Sequence, residues 1–167
     1  MNIFYLDEDP TLAAQYLIDT HIRKMTVGSA QMLANAYSIE DLSYAPRTQK
    51  GTVRKHSYLN HPCSKWVVLG QTNFAWLLKH ATSLCEEYVY RFNKDHFASD
   101  FIYWIEDNLP NLAKAKFTPP PQVMPSIYKC SSTIEAYRSY YRKEKATDNN
   151  GKSMSVWTNR DKPDWWN

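Results

Sequence analysis

Gln71-Thr-Asn-Phe-Ala-Trp-Leu-Leu-Lys-His-Ala-Thr-Ser-Leu-Cys-Glu-Glu-Tyr-Val-Tyr-Arg-Phe92 decides the fold class. Phe74, Leu77, Leu78, Ala81, Leu84, Cys85, Tyr88 and Phe92 recur at spacings of three and four, one apolar stripe on a long helix. Glu87 and Arg91, four apart, read as a surface pair of small energetic value. Glu86 falls closer to the apolar stripe and is a candidate acid for a cleft. Upstream, Pro62 opens a short helix through Leu69. Further back, Asp9 reads as an N-cap with Pro10 as first helical residue. Leu12, Ala13, Tyr16, Leu17 and Met25 then keep helical spacing, as do Ala30, Met32, Leu33 and Tyr37, with a break or kink at Val27-Gly28-Ser29. Ile3–Leu6 is too short to classify. Downstream, a helix from Lys94 to Leu109 stops before Pro110. Residues 117–130 form a proline-stiffened connector, and Ser132-Thr-Ile-Glu135 is a capping box opening a last helix to about Lys145. The tail, 147–167, is irregular and rich in Trp. No alternating strand pattern follows residue 6. The expectation is an all-α chain, a single compact helical domain over 1–167 with long loops.

With 167 residues, 43% of them hydrophobic, and four Gly, the chain is neither disordered nor collagenous. Its net charge of +3 hides an asymmetry. Residues 1–45 carry a balance of −4, while 46–80 hold Arg47, Lys50, Arg54, Lys55, Lys65 and Lys79 with no acid. Residues 41–61 read as a long loop, and its basic part, 46–61, holds most of that tract, the pattern of a protein that meets a polyanion at one place. Cys63, Cys85 and Cys130 are an odd set without paired spacing, which argues for a reducing compartment. The N-terminus lacks a signal-peptide pattern and no apolar run reaches the ~20 residues of a membrane span, so a soluble, cytoplasmic protein is expected; a monomer is expected as well. His56, His61, Cys63 and His80 lack zinc-finger spacing, and no phosphate-loop or dinucleotide glycine motif is present; no metal and no cofactor are expected.

Asp19, His21 and Lys24 supply a carboxylate, an imidazole and an amine within six residues, the ingredients of acid/base or nucleophilic chemistry, or else a plain charged helix surface. Gln31, among apolar neighbours, is an amide able to read a base edge. His61-Pro62 places a helix N-terminus at the end of the basic loop, with Tyr58, Asn60 and Lys65 nearby. In the last helix Tyr137, Arg138, Tyr140, Tyr141, Arg142, Lys143 and Lys145 interleave rings with cations, as at a nucleic-acid surface or on a core helix with a basic outer face.

Several motifs follow one another in order: Leu6-Asp-Glu-Asp-Pro10, Asp19-x-His21-x-x-Lys24-Met25, Ala30-Gln-Met-Leu33, Asn60-His-Pro-Cys-Ser-x-Trp66, Asn73-x-x-Trp76-Leu77, Leu84-Cys-Glu-Glu-Tyr88-x-x-Arg91, Lys94-x-His96, Phe117-Thr-Pro, Gln122-x-Met-Pro125, Ala136-Tyr-Arg-x-Tyr-Tyr141 and Lys162-Pro-Asp-Trp-Trp166. Over nearly its whole length the chain resembles a family of small phage-encoded proteins labelled pyrimidine-dimer DNA glycosylase. It is also similar to the glycosylase-like enzymes of phage thymine hypermodification, the α-glutamyl/putrescinyl-thymine pyrophosphorylases and amino acid:DNA transferases. The resemblance implies a DNA-glycosylase-like helical fold, DNA as partner, and a location in the cytoplasm of an infected host. It implies a flipped, damaged or modified pyrimidine as substrate, with Asp19, His21, Lys24, Asp7, Gln31 and Glu86 as candidate catalytic residues. Arg54, Lys55, Asn60, His61, Lys65, Arg91, Tyr137, Arg138, Tyr141 and Lys145 are candidate DNA contacts. The family often carries an acid about four residues after the Lys-Met pair, where this chain has Gly28. The acid role then falls to Asp19, Asp7 or Glu86. Hydrolysis of the N-glycosidic bond, displacement of pyrophosphate from a modified thymine by an amine, and DNA binding without catalysis are the three functions in view.

Overall fold

The computed structural model describes residues 2–166. Its helices are α1 (Pro10–Gln15), α2 (Asp19–Ala34), α3 (Ile39–Tyr44), α4 (Pro62–Val68), α5 (Gln71–Phe92), α6 (Ser99–Asp107) and α7 (Thr133–Glu144), with 3-10 turns at Ser126–Tyr128 and Asp164–Trp166. No strand occurs among the described residues; Thr147 and Ser153 form one isolated antiparallel bridge. The architecture is all-α and compact.

The stripe on α5 explains the arrangement. This helix packs against α1, α2, α4 and α6, and Phe74, Leu77, Ala81, Leu84 and Cys85 are buried with them. Ile3–Leu6 threads through the core as irregular chain, every residue buried. Phe4 takes a left-handed backbone (φ 52°), which sets its ring 5.1 Å from His21 and 4.9 Å from Tyr141. Asp9 caps α1 by accepting from the Thr11 and Leu12 amides.

Four boundaries differ from the sequence expectation. The helical spacing from Pro10 to Met25 is split into α1 and α2, because Tyr16 ends the first helix and Ile18 takes extended backbone (ψ 156°) before the second. Helix α2 runs unbroken through Gly28, because Ile22, Thr26, Ser29, Met32 and Leu33 keep burying one face, outweighing the roughly 1 kcal/mol a helical glycine costs. Helix α6 starts at Ser99, not Lys94. Asn93 in the left-handed region (φ 51°) stops α5, and Nδ1 of His96 accepts the Ala98 amide at 3.1 Å in place of a helical turn. The short helix α3 reaches into the stretch expected to be loop from residue 41. A Ser38/Asp41 capping box nucleates it and buried Leu42 anchors it.

Candidate functional site

One face of α2 lines two adjoining cavities. The larger, about 940 Å³, is bounded by Asp19, Thr20, Arg23, Lys24 and Val27 of α2, Gln49 of the basic loop, and Tyr88, Phe92, Lys94 and Phe97. The second, about 490 Å³, takes Val27, Ala30, Gln31 and Ala34 of α2 together with residues of the loop 48–57, Phe97 and Ala98. Shared walls at Val27, Gln49 and Phe97 join them into one groove, which runs from Asp19 to Gln31, about 18 Å along the helix axis. Arg23 and Lys24 are exposed on one wall and Lys94 on the other, while Phe97, 44% exposed, stands where the cavities meet. None of Arg23, Lys24 and Lys94 forms a salt bridge among the described residues. The Gln31 amide is half-buried in its cavity.

Asp19, the first residue of α2, is held from three directions. Oδ1 accepts from Nη1 of Arg91 at 2.9 Å and from the Thr158 amide at 3.0 Å, and Oδ2 accepts the Thr158 hydroxyl at 2.6 Å. A carboxylate has about four acceptor positions, so one is left for a molecule in the groove. Behind it, buried Arg91 also donates to the Leu17 and Gln15 carbonyls and to Glu87 Oε1. Arg160 closes the chain of charges with Nε and Nη2 on the two Glu87 oxygens, each at 2.9 Å. Trp157, beside Thr158, donates its indole N–H to the Tyr16 carbonyl. The C-terminal tail therefore completes the Asp19 end of the groove.

The structure corrects several expectations drawn from sequence. Of the Asp19, His21 and Lys24 trio, only Asp19 and Lys24 share the groove. His21 turns to the core: its Nδ1 lies 2.7 Å from the Tyr141 hydroxyl, and burial, with Lys24 and Lys145 nearby, pushes the ring down to about 4. Glu86 is exposed and outside the groove, whereas Glu87 is buried in the charge network. The buried face of α5 is wider than its apolar stripe and takes in Glu87 and Arg91 as well. Arg91 is buried and fully engaged, so it is no phosphate contact. Tyr137 and Tyr141 have no exposed surface; Tyr137 donates to the Pro121 carbonyl at 2.6 Å, and Tyr141 accepts the Ile18 amide at 3.1 Å. These two face inward because the N-terminal segment packs on them, so they cannot stack on bases.

Asp7 accepts from the Asp9 amide and pairs with Arg138, whose Nε also holds the Leu6 carbonyl; both serve the N-terminal turn. Lys145 is half-buried with its ammonium 5.0 Å from the Tyr140 ring. Arg54 lines the second cavity, yet its guanidinium covers Phe101 at 4.1 Å and Nε holds the Pro46 carbonyl, so it braces the loop. Lys55, Asn60 and Lys65 are exposed, and Nδ1 of His61 caps α4 by accepting the Cys63 amide. Sequence reasoning missed Arg23, Lys94, Phe97 and Thr158. The spacing Thr20, Arg23/Lys24, Val27, Gln31 traces the groove face of α2; nothing local marks Thr158, 139 residues from its partner.

Among the described residues no group of three or more His, Cys, Asp or Glu is placed to hold a metal ion, and no helix is long and apolar enough to cross a membrane. No curated protein and no solved structure matches the chain. A family model does: residues 1–100, which include α2, α5, the basic loop and all of the groove walls, match the family described as pyrimidine dimer DNA glycosylase. That match spans more than half of the chain, which belongs to the pyrimidine dimer DNA glycosylase family.

Proposed function

We propose that this protein hydrolyses the N-glycosidic bond of a damaged or modified pyrimidine swung out of DNA into the groove along α2. The observation that carries the reading is the groove itself: one fixed carboxylate, exposed cations on both walls without a carboxylate partner among the described residues, and exposed aromatic surface, in the part of the chain that gives the family match. Damaged bases stack and pair poorly, so extruding them costs less, which favours them as substrates. Arg23, Lys24 and Lys94 hold the flanking phosphates. Phe97 and Phe92 offer ring faces to the extruded base. At its own end of the groove, Asp19 accepts a hydrogen bond from water and opposes the positive charge growing on the sugar. Water adds to the sugar carbon, the bond to the ring nitrogen breaks, and the base leaves with the proton. Lys24 is the alternative nucleophile, an amine on the same wall.

Nucleoside mass spectrometry on duplexes carrying one cyclobutane dimer or one 5-substituted thymine tests this. The expected result is an abasic site with wild type and its loss with Asp19→Asn, while DNA affinity is retained. A heavier, intact nucleoside formed with an added amine identifies group transfer instead. Binding without any product identifies a non-catalytic module.

A further inference from the structure

The stretch 56–61 carries a feature that the groove does not explain. Tyr58 has a left-handed backbone (φ 52°), and among the described residues it is the one exposed side chain other than Asn or Gly in that region. A bulky residue adopts that conformation only where its surroundings impose it, and such positions cluster at binding sites. Here the surroundings are visible. Asn35, at the end of α2, clamps Ser57 by two reciprocal bonds, Nδ2 to the Ser57 carbonyl at 2.9 Å and the Ser57 amide to Oδ1 at 3.0 Å. One residue earlier, Nε2 of His56 meets the Tyr37 carbonyl at 2.8 Å. On the far side the His61 amide bonds the Tyr58 carbonyl at 2.9 Å, and His61 in turn caps α4.

Between these two braces Tyr58 and Leu59 point outward, 66% and 53% exposed. Two large apolar side chains on a rigid tip do not belong to a solvated loop. They sit in the acid-free tract, with Lys55, Asn60 and Lys65 exposed beside them. Ser57 lines the groove, so the tip stands at the groove's end remote from Asp19. A polyanion with apolar steps between its charges fits such a tip, and duplex DNA is that polymer.

We propose that Tyr58 and Leu59 form a wedge that inserts between stacked base pairs of the DNA lying in the groove. Lys55 and Lys65 hold the backbone on either side, and the partly unstacked step bends the duplex over α2. The rigid bracing matters, because a floppy tip would lose conformational entropy on insertion. This inference rests on the DNA reading proposed above, and adds to it the place where the protein deforms the duplex.

The test uses duplexes with 2-aminopurine at successive positions on each side of a single lesion, and the full chain as wild type, Tyr58→Ala/Leu59→Ala and Lys55→Ala. Wild type is expected to raise the fluorescence at least threefold at one step. The double variant should abolish that rise with an unchanged unfolding midpoint and an unchanged salt slope of binding. Lys55→Ala should lower the salt slope and keep the rise at saturating protein. If wild type binds and processes the lesion with no step brightened, or the double variant brightens it equally, the wedge is overturned and the glycosylase reading stands. If wild type binds no DNA, both fall. If the double variant loses only adhesion to vesicles or to a protein, the tip serves another partner and the wedge is wrong.

Discussion

At the scale of single residues, the buried charges separate neighbours that look alike in sequence. Glu86 and Glu87 are adjacent, yet only Glu87 enters the network with Arg91 and Arg160. Replacing Arg91 by Leu leaves Glu87 with Arg160 alone and Asp19 with Thr158 alone, and takes the donor from the Leu17 and Gln15 carbonyls. A cost of about 3–5 kcal/mol in urea unfolding is expected, against less than about 0.5 kcal/mol for Glu86→Gln. Thr158 acts through Asp19 and not on the substrate. Thr158→Val removes a 2.6 Å hydroxyl bond to the carboxylate but keeps shape and backbone. With the groove as active site, kcat should fall by about tenfold while KM is unchanged, and Thr158→Ser should restore it. A purely structural Thr158 would shift the unfolding midpoint and leave kcat alone.

Among the elements, two glycines make opposite predictions. Gly28 lies within α2 and a Cβ there meets nothing within 4 Å, so Gly28→Ala should stabilise by about 0.8–1 kcal/mol through helix propensity. Gly70 precedes α5, and its Cβ would come 2.5 Å from the Ala115 Cβ and 3.2 Å from the Ala113 carbonyl. That loop cannot easily retreat, since the Gln71 amide and the Thr72 hydroxyl already bond it. Gly70→Ala should therefore destabilise by about 1–3 kcal/mol in the same assay. These cases also show what the sequence can carry. Periodicity marks α2 and α5 well, because each buries one continuous face, and Asp9 and Ser132 announce caps through local chemistry. Which side of α7 faces inward was not legible: Tyr137 and Tyr141 are polar enough for a surface, and only the packed segment Ile3–Leu6 settles it. The groove was half legible for a related reason. Asp19, Lys24 and Gln31 share one helix and stand out by type, whereas Thr158 reaches Asp19 through the fold alone.

Over the whole molecule, acid sensitivity follows from histidines folded in as neutral rings. His80, without exposed surface, stacks on Trp76 and bonds the Pro10 carbonyl through Nδ1; burial pushes it down to about 4, and the carbonyl bond only partly opposes this. His21 reaches about 4 for the same reason, with Lys24 and Lys145 adding repulsion, and His96 is lowered too. In the unfolded chain these rings titrate near 6.5. Between pH 6.5 and about 4 the unfolded state therefore binds protons that the folded state refuses, so stability falls as pH falls through that window and is fully present above it. For His21 and His80 the loss amounts to at most about 3 kcal/mol each. Urea midpoints at pH 7.5, 6.5, 5.5 and 4.5 should decline steadily across the lower three. His21→Phe keeps a ring against Phe4 and Tyr141 but cannot be protonated, and should remove roughly a third to a half of the decline. An unaltered slope in that variant would mean that His21 is hydrated in solution, and would undo its placement in the core beside Tyr141.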